Sequence, residues 1–252
     1  MLRRFCALLL AVLALTMVRA ADPPEDLQLA NAAYRSGKYA EAITGYRSLL
    51  SAGYRSADLY YNLGSSYLKN RELGPAILYL ERARLLAPSD PDIQHNLELA
   101  RQQLTDDISE VPSFFLSRWW EQWALAASAT FWSVLGLLLV WLGLAGLGLW
   151  QIGRERAWRK KGFLWGLPLL LLGIVPLLLG FSRVQMIEDS PFAIIQAAKT
   201  TLYTAPDTAS EALFPLHEGT KVALLDRIGE WYKVRLLNGD QGWLSREHLL
   251  QI

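Results

Sequence analysis

The chain has 252 residues, of which 52% are hydrophobic, with ten tryptophans and a formal net charge of +1 at pH 7. So large an apolar share exceeds what a soluble domain of this length needs for its core, so part of it is expected to lie elsewhere. With 25 Lys and Arg against 24 Asp and Glu there is no broad basic surface, and no nucleic-acid partner is expected.

Residues 1–20 have the three-part layout of a secretory signal peptide: Arg3 and Arg4, an apolar stretch from Phe5 to Val18, and small residues at a processing point after Ala20. An uncleaved signal anchor is the alternative, and either carries the following residues across a membrane. Cys6, the one cysteine, lies inside this leader and lacks the small residues that precede a lipid-modified cysteine. The mature chain is therefore expected to contain no disulfide, no thiol nucleophile and no thiol ligand.

Residues 26–104 read as a helical repeat. At an offset of 34 residues, "LANAAYRSGKYAEAITGYRSLL" from Leu29 aligns with "LGSSYLKNRELGPAILYLERAR" from Leu63, and a period in this range signals stacked helix pairs. In the second copy Tyr60, Leu63, Gly64 and Tyr67 fall on a first helix and Ala76, Leu80 and Ala83 on a second, with Pro88 as a stop. Gly64, Ala76 and Ala83 are small where two helices must cross closely. A further helix is expected from Asp90 to Leu104, with Asp90 as N-cap and Pro91 at its first position, covering the apolar end of the stack.

These residues resemble the tetratricopeptide repeat. The resemblance implies a concave groove lined by the first helix of each pair, which places Asn31, Tyr34 and Arg35, then Tyr61, Ser65, Leu68 and Lys69, toward a protein partner. Arg35 and Lys69 hold equivalent places and suit a carboxylate. The pattern departs from the full carboxylate clamp of chaperone-binding members, because Ser65 stands where a second Asn is usual. Simple solvation of these side chains is the alternative.

Residues 113–124 read as an interfacial helix, with Phe115, Leu116, Trp119, Trp120 and Trp123 on one face and Ser117, Arg118, Glu121 and Gln122 on the other. An aromatic binding ledge is the rival reading. Residues 125–150 and 163–181 contain no charged side chain and are long enough to span a bilayer, which takes roughly 20 residues. The loop between them, 151–162, carries Arg154, Arg156, Arg159, Lys160 and Lys161 against Glu155, and the positive-inside rule keeps it in the cytoplasm. Both ends of the chain are then expected outside the cytoplasm, as the leader independently requires. No ionisable group lies in either span, which argues against a conduit. Gly166, Gly173 and Gly180 recur every seven residues, as do Ala129, Gly136 and Gly143, so small faces are expected to pack within the chain or against a partner.

Residues 190–252 read as a small all-β barrel of short strands. Val222 and Leu224 alternate in "TKVALLD", Tyr232, Val234 and Leu236 share a face of "EWYKVRLL", and Asn238-Gly239 supplies a hairpin into "QGWLS". From Gly219 to Trp243 the run resembles the bacterial SH3 domain, with "KTTLYTAPDTASEAL" as its first strand and long turn. That resemblance implies a binding module, for peptide or for peptidoglycan. Tyr203, Trp231 and Trp243 are the candidate ligand residues. Core packing is the preferred reading for both Tyr232 and Trp243, whereas Trp231, on the opposite face to Val234, is the stronger ligand candidate.

No phosphate loop, zinc pair or serine elbow occurs, and His95, His217 and His248 are scattered away from acidic clusters, so no catalytic residue, metal site or cofactor is expected. The order of leader, repeats, helix hairpin and SH3 module resembles the BatE proteins of bacterial aerotolerance (Bat) operons, across essentially the whole chain. The resemblance implies a non-enzymatic scaffold of the bacterial inner membrane with both modules periplasmic. Its implied partners are membrane proteins with von Willebrand factor A domains and, through them, a MoxR-type ATPase. A peptidoglycan-binding tether that recruits a cell-wall enzyme is the alternative.

Overall fold

The computed structural model describes residues 25–106, 108, 115–188 and 190–252. The leader over residues 1–20 and the start of the interfacial helix at 113 and 114 lie outside them.

Five helices build the N-terminal module: α1 (Glu25–Arg35), α2 (Tyr39–Ser51), α3 (Ala57–Lys69), α4 (Leu73–Leu86) and α5 (Pro91–Arg101). Two antiparallel pairs stack and α5 closes the end. Ser56 caps α3 by accepting from the Leu59 N–H at 3.1 Å, and Asp90 caps α5 by accepting from Asp92 and Ile93 at 2.9 and 3.2 Å. A Cβ on Gly64 would lie 2.8 Å from Leu80 Cγ and 3.1 Å from the Ala76 carbonyl, which is why only glycine lets α3 and α4 approach so closely. The first pair solves the same crossing from the other side, with Gly45 on α2 against Ala30 on α1.

The turns after α1 and α3 are equivalent but differently furnished. Gly37 takes a φ of +75°, and Arg71, at the matching position, takes +65°. An L-residue held left-handed costs about 1–2 kcal/mol, partly offset in glycine by its unfolded-chain entropy. Arg71→Gly is therefore expected to stabilise the protein by about 0.5–1 kcal/mol, read as a higher urea midpoint with an unchanged slope.

Three helices follow: α6 (Phe115–Ala126), α7 (Ala129–Ile152) and α8 (Arg156–Glu188). Their limits differ from those read in the sequence. Leu125 and Ala126 end α6, because Ser128 breaks the chain there and caps α7 by accepting from Phe131 at 3.2 Å. The loop expected over 151–162 shrinks to residues 153–155, since the arginines, lysines and Trp158 are good enough helix formers to start α8 early. α8 also continues past 181, through Pro168 and Pro176. Both α7 and α8 are long and apolar enough to cross a membrane. Their outer faces expose Trp141, Leu164 and Trp165 at 61%, 60% and 66%, unlike the core helices of a soluble domain. Of the aromatic face of α6, Trp120 turns inward and donates to Ser182 Oγ at 3.1 Å, while Phe115, Leu116, Trp119 and Trp123 stay exposed.

The C-terminal module has seven strands among the described residues: β1 (Phe192–Ile195), β2 (Lys199–Tyr203), β3 (Ala212–His217), β4 (Lys221–Ile228), β5 (Trp231–Leu236), β6 (Gln241–Ser245) and β7 (Leu249–Gln251). They form one antiparallel sheet in the order β3-β2-β6-β5-β4-β1-β7. Buried side chains from β1 to β6, among them Ile195, Leu202, Leu216, Val222, Val234 and Leu244, meet in one core, so the sheet curls on itself. Gly239, at a φ of +96°, turns the β5–β6 hairpin.

The two modules dock on each other. Along β1, Ala193 and Ile195 face the barrel core, while Ile194 points the opposite way into a cluster with Ile77, Leu78 and Leu80 of α4 and Leu97 and Ala100 of α5. Backbones come close as well: a Cβ on Gly74 would lie 3.1 Å from the Ile195 carbonyl. Glu218 caps α4 from across the junction, accepting from the Leu73 N–H at 3.2 Å. Beside it Glu81, 1% exposed, receives Arg84 at 2.9 Å, Arg101 at 2.8 Å and Lys221 at 3.1 Å. Because α7 and α8 are antiparallel neighbours, both modules sit at the same end of the hairpin.

Candidate functional site

On the repeat module, the structure divides the groove residues into two groups. Asn31 Oδ1 accepts from the Tyr46 hydroxyl at 2.6 Å and from Asn62 Nδ2 at 3.3 Å. One repeat on, Ser65 Oγ accepts from Asn96 Nδ2 at 2.9 Å, and the same amide reaches the Tyr61 hydroxyl at 3.2 Å. Asn31 and Ser65 are equivalent positions, as are Asn62 and Asn96, so these bonds form a polar ladder joining successive first helices. Burial, then the neighbouring Tyr34, pushes the Tyr46 hydroxyl up to about 12, which keeps its proton on the ladder. Asn31 and Ser65 thus serve the stack rather than standing ready for a ligand. Arg35 and Lys69 are exposed in the last turns of α1 and α3, with no carboxylate within 4 Å among the described residues. Tyr34 meets Tyr39 edge-on, and burial, then the nearby Tyr61 and Tyr39, raises its hydroxyl above the ordinary tyrosine value.

On the barrel, the three aromatic candidates come together. Tyr203 on β2 pairs in register with Trp243 on β6, and its ring meets that of Trp231 on β5 edge-on at 5.7 Å and 88°. Lys233 lies opposite Trp243 on the same outer face. Core packing of Trp243 is corrected: Leu244, fully buried, fills the core instead, and Gly242 makes room for Leu202. Tyr232 does pack against the core, with Arg227 over its ring at 5.6 Å. Half-exposed rings set at right angles beside one ammonium suit flat C–H faces of a sugar or the side chains of an extended peptide.

Two histidines are not isolated, as the sequence had led one to expect. His217 Nδ1 lies 2.7 Å from Asp106 Oδ1, and the other oxygen of that carboxylate accepts from the His217 N–H and from Thr220 Oγ1. His248 Nδ1 lies 2.8 Å from Thr200 Oγ1. Asp106 is 111 residues from His217, so only the docking of the modules brings them together. Among the described residues no three His, Cys, Asp or Glu side chains converge as a metal site.

All five packing glycines lie in the seam between α7 and α8. A Cβ on Gly136 would meet the Gly173 carbonyl at 3.0 Å, and one on Gly143 or Gly166 would meet backbone of the other helix at 2.6 or 2.7 Å. Gly180 faces Ala129 and Ser133. Gly146 and Gly162, outside the seven-residue series, belong to the same seam.

Residues 27–91 match the family model of the tetratricopeptide repeat, and residues 198–249 match that of the bacterial SH3 domain. The chain therefore carries a tetratricopeptide-repeat region and a bacterial SH3 module, domain types that suggest protein–protein interaction. No curated protein matches it.

Proposed function

We propose that the protein is a non-enzymatic scaffold anchored in the inner membrane by α7 and α8, with both modules on the periplasmic side. The observation that carries this reading is the docking itself. The barrel covers the second helix α4 and the cap α5, whereas the first-helix residues Tyr34, Arg35 and Lys69 remain open to a protein partner. Arg154 in the turn and Arg156, Arg159, Lys160 and Lys161 at the start of α8 support a cytoplasmic side for that end of the hairpin. The resemblance of the domain order to the BatE proteins makes membrane proteins with von Willebrand factor A domains the first partners to seek, and an envelope-stress or aerotolerance complex with a MoxR-type ATPase the setting. A second reading rests on the ring cluster of Tyr203, Trp231 and Trp243, which suits peptidoglycan and would make the protein a cell-wall tether.

Crosslinked native membranes separate the two. Deleting the repeats would strip Ile194 of its cover, so surface substitutions are the better instrument. On the scaffold reading, Tyr34→Ala with Lys69→Glu lowers recovery of membrane proteins at least tenfold, and Trp231→Ala with Trp243→Ala leaves it unchanged. If instead wall fragments are what is recovered, and only the tryptophan pair removes them, the tether reading replaces the scaffold.

A further inference from the structure

Two contiguous cavities of about 370 and 290 Å³ open along the second helices of the repeats, sharing Arg55, Tyr60 and Arg82, and the larger reaches Ile187 of α8. Arg47 completes a set of three guanidinium groups around them. Among the described residues no carboxylate lies within 4 Å of any of the three. Each is held by neutral partners instead. Arg55 donates to the Leu50 and Tyr54 carbonyls at 2.6 and 2.8 Å, Arg82 donates to the Gln251 carbonyl at 2.7 Å, and Arg47 hydrogen-bonds the Tyr67 side chain. Arg82 also lies 5.4 Å from the Tyr79 ring centroid and 6.0 Å from that of Tyr60, which fixes its plane. A guanidinium has five N–H donors, so every one of these arginines keeps donors to spare. Converging cations that are oriented but not neutralised repel one another until an anion enters.

The position of the cleft identifies the anion. Its floor includes Leu86 and Ile187. Ile187 lies six positions after Phe181 on α8, about 9 Å further along at 1.5 Å per residue. That height falls at the outer edge of the headgroup layer, which is roughly 5–8 Å deep on each side of the hydrocarbon. Arg183, one turn below Ile187 and 5% exposed, donates to the Leu86 carbonyl at 3.2 Å, and its Nη1 has no partner among the described residues. Apolar floor and cationic walls at headgroup height match a phosphodiester with acyl chains below it.

We propose that this cleft binds the phosphate of an anionic phospholipid in the leaflet beneath the modules, an inference that rests on α7 and α8 crossing the membrane. The test uses full-length protein reconstituted in phosphatidylcholine vesicles or in vesicles with 20% phosphatidylglycerol, with lipid retention after detergent extraction read by native mass spectrometry. Wild-type protein is expected to retain phosphatidylglycerol at least tenfold over phosphatidylcholine, less so as NaCl rises. Arg47→Gln with Arg55→Gln, both exposed, should abolish the preference, and Arg35→Gln in the repeat groove should keep it. The salt dependence of the wild type carries the test if the double variant fails to fold. Equal retention of the two lipids, or retention indifferent to both salt and the double variant, overturns the proposal. Displacement of phosphatidylglycerol by 1 mM inorganic phosphate assigns the cleft to the free anion and overturns the lipid source. Failure to enter either vesicle overturns the membrane reading itself, which the arginine variants do not touch.

Discussion

Glu81→Gln is expected to undock the barrel from the repeats and to cost about 3 kcal/mol, the lower part of the range for breaking a buried ion pair. The side chain is 1% exposed and receives cations from α4, α5 and β4. Its loss strands Lys221 in the junction, while Arg84 and Arg101 keep enough solvent contact to hold the cost below the top of that range. Thermal melts in detergent should then show the barrel melting apart from the repeats, where the wild type melts once. Coincident melting at the wild-type temperature would remove the argument. The pH dependence has a definite sign. Burial alone would raise the Glu81 carboxyl, but Lys221, Arg84 and Arg101 outweigh it and bring it down to about 2 from 4.5. A carboxylate depressed by folding contributes fully above its unfolded value and loses that contribution as pH falls toward the folded one. Docking should therefore weaken between about pH 4.5 and 2, and Glu81→Gln should flatten that part of the profile. Asp106 adds to the slope in the same direction: burial opposes its ionisation, and hydrogen bonds from Thr220 and His217 override it.

The repeat and the barrel were legible because each writes its geometry locally. The 34-residue offset, the crossing at Gly64 and the cap at Asp90 depend on neighbours in the chain, as do the Asn238-Gly239 hairpin and the alternation of β5. The junction depends on residues far apart, and the sequence marked it only obliquely. Ala76, Ile77, Leu78 and Leu80 are all buried in α4, and a helix apolar around its circumference must be covered on more than one side. That was the available sign that something besides α3 packs on it. β1 was missed for the related reason that "FAII" shows no alternation: Ile194 and Ile195 serve two different cores.

Within the candidate sites, spacing alone misjudged roles. Asn31 and Ser65 stand at groove positions by the repeat frame, yet their hydrogen bonds run to Asn62 and Asn96 of the following helix. A polar side chain repeated at the period of the array can serve the array as well as a ligand, and only its partners decide which. Trp243 was open to either face because Gly242 and Leu244 flank it. The core took Leu244 once Gly242 let Leu202 close in. Arg47, Arg55 and Arg82 carry no sequence mark at all, since they converge from α2, from the turn after it and from α4.

Gly166→Leu is the second substitution expected to act strongly, through the α7–α8 hairpin rather than the junction. A Cβ there would lie 2.7 Å from Leu147 N and 2.9 Å from the Gly143 carbonyl oxygen, atoms of backbone that cannot rotate away. Overpacking costs typically about 1–3 kcal/mol, and here it can be relieved only by parting α7 from α8. The consequence is measurable as a longer and broader distance between spin labels on Leu138 and Leu172, both exposed on the hairpin's outer surface, together with a lower melting temperature in detergent. Gly148→Leu is the control, because nothing lies within 4 Å of its Cβ direction, and it should leave both readings unchanged. If the glycine series served a partner chain instead, Gly166→Leu would reduce association between molecules and leave the label distance intact. The seam closes on its own backbone at Gly143, Gly146, Gly162 and Gly166, so the distance is the quantity expected to move.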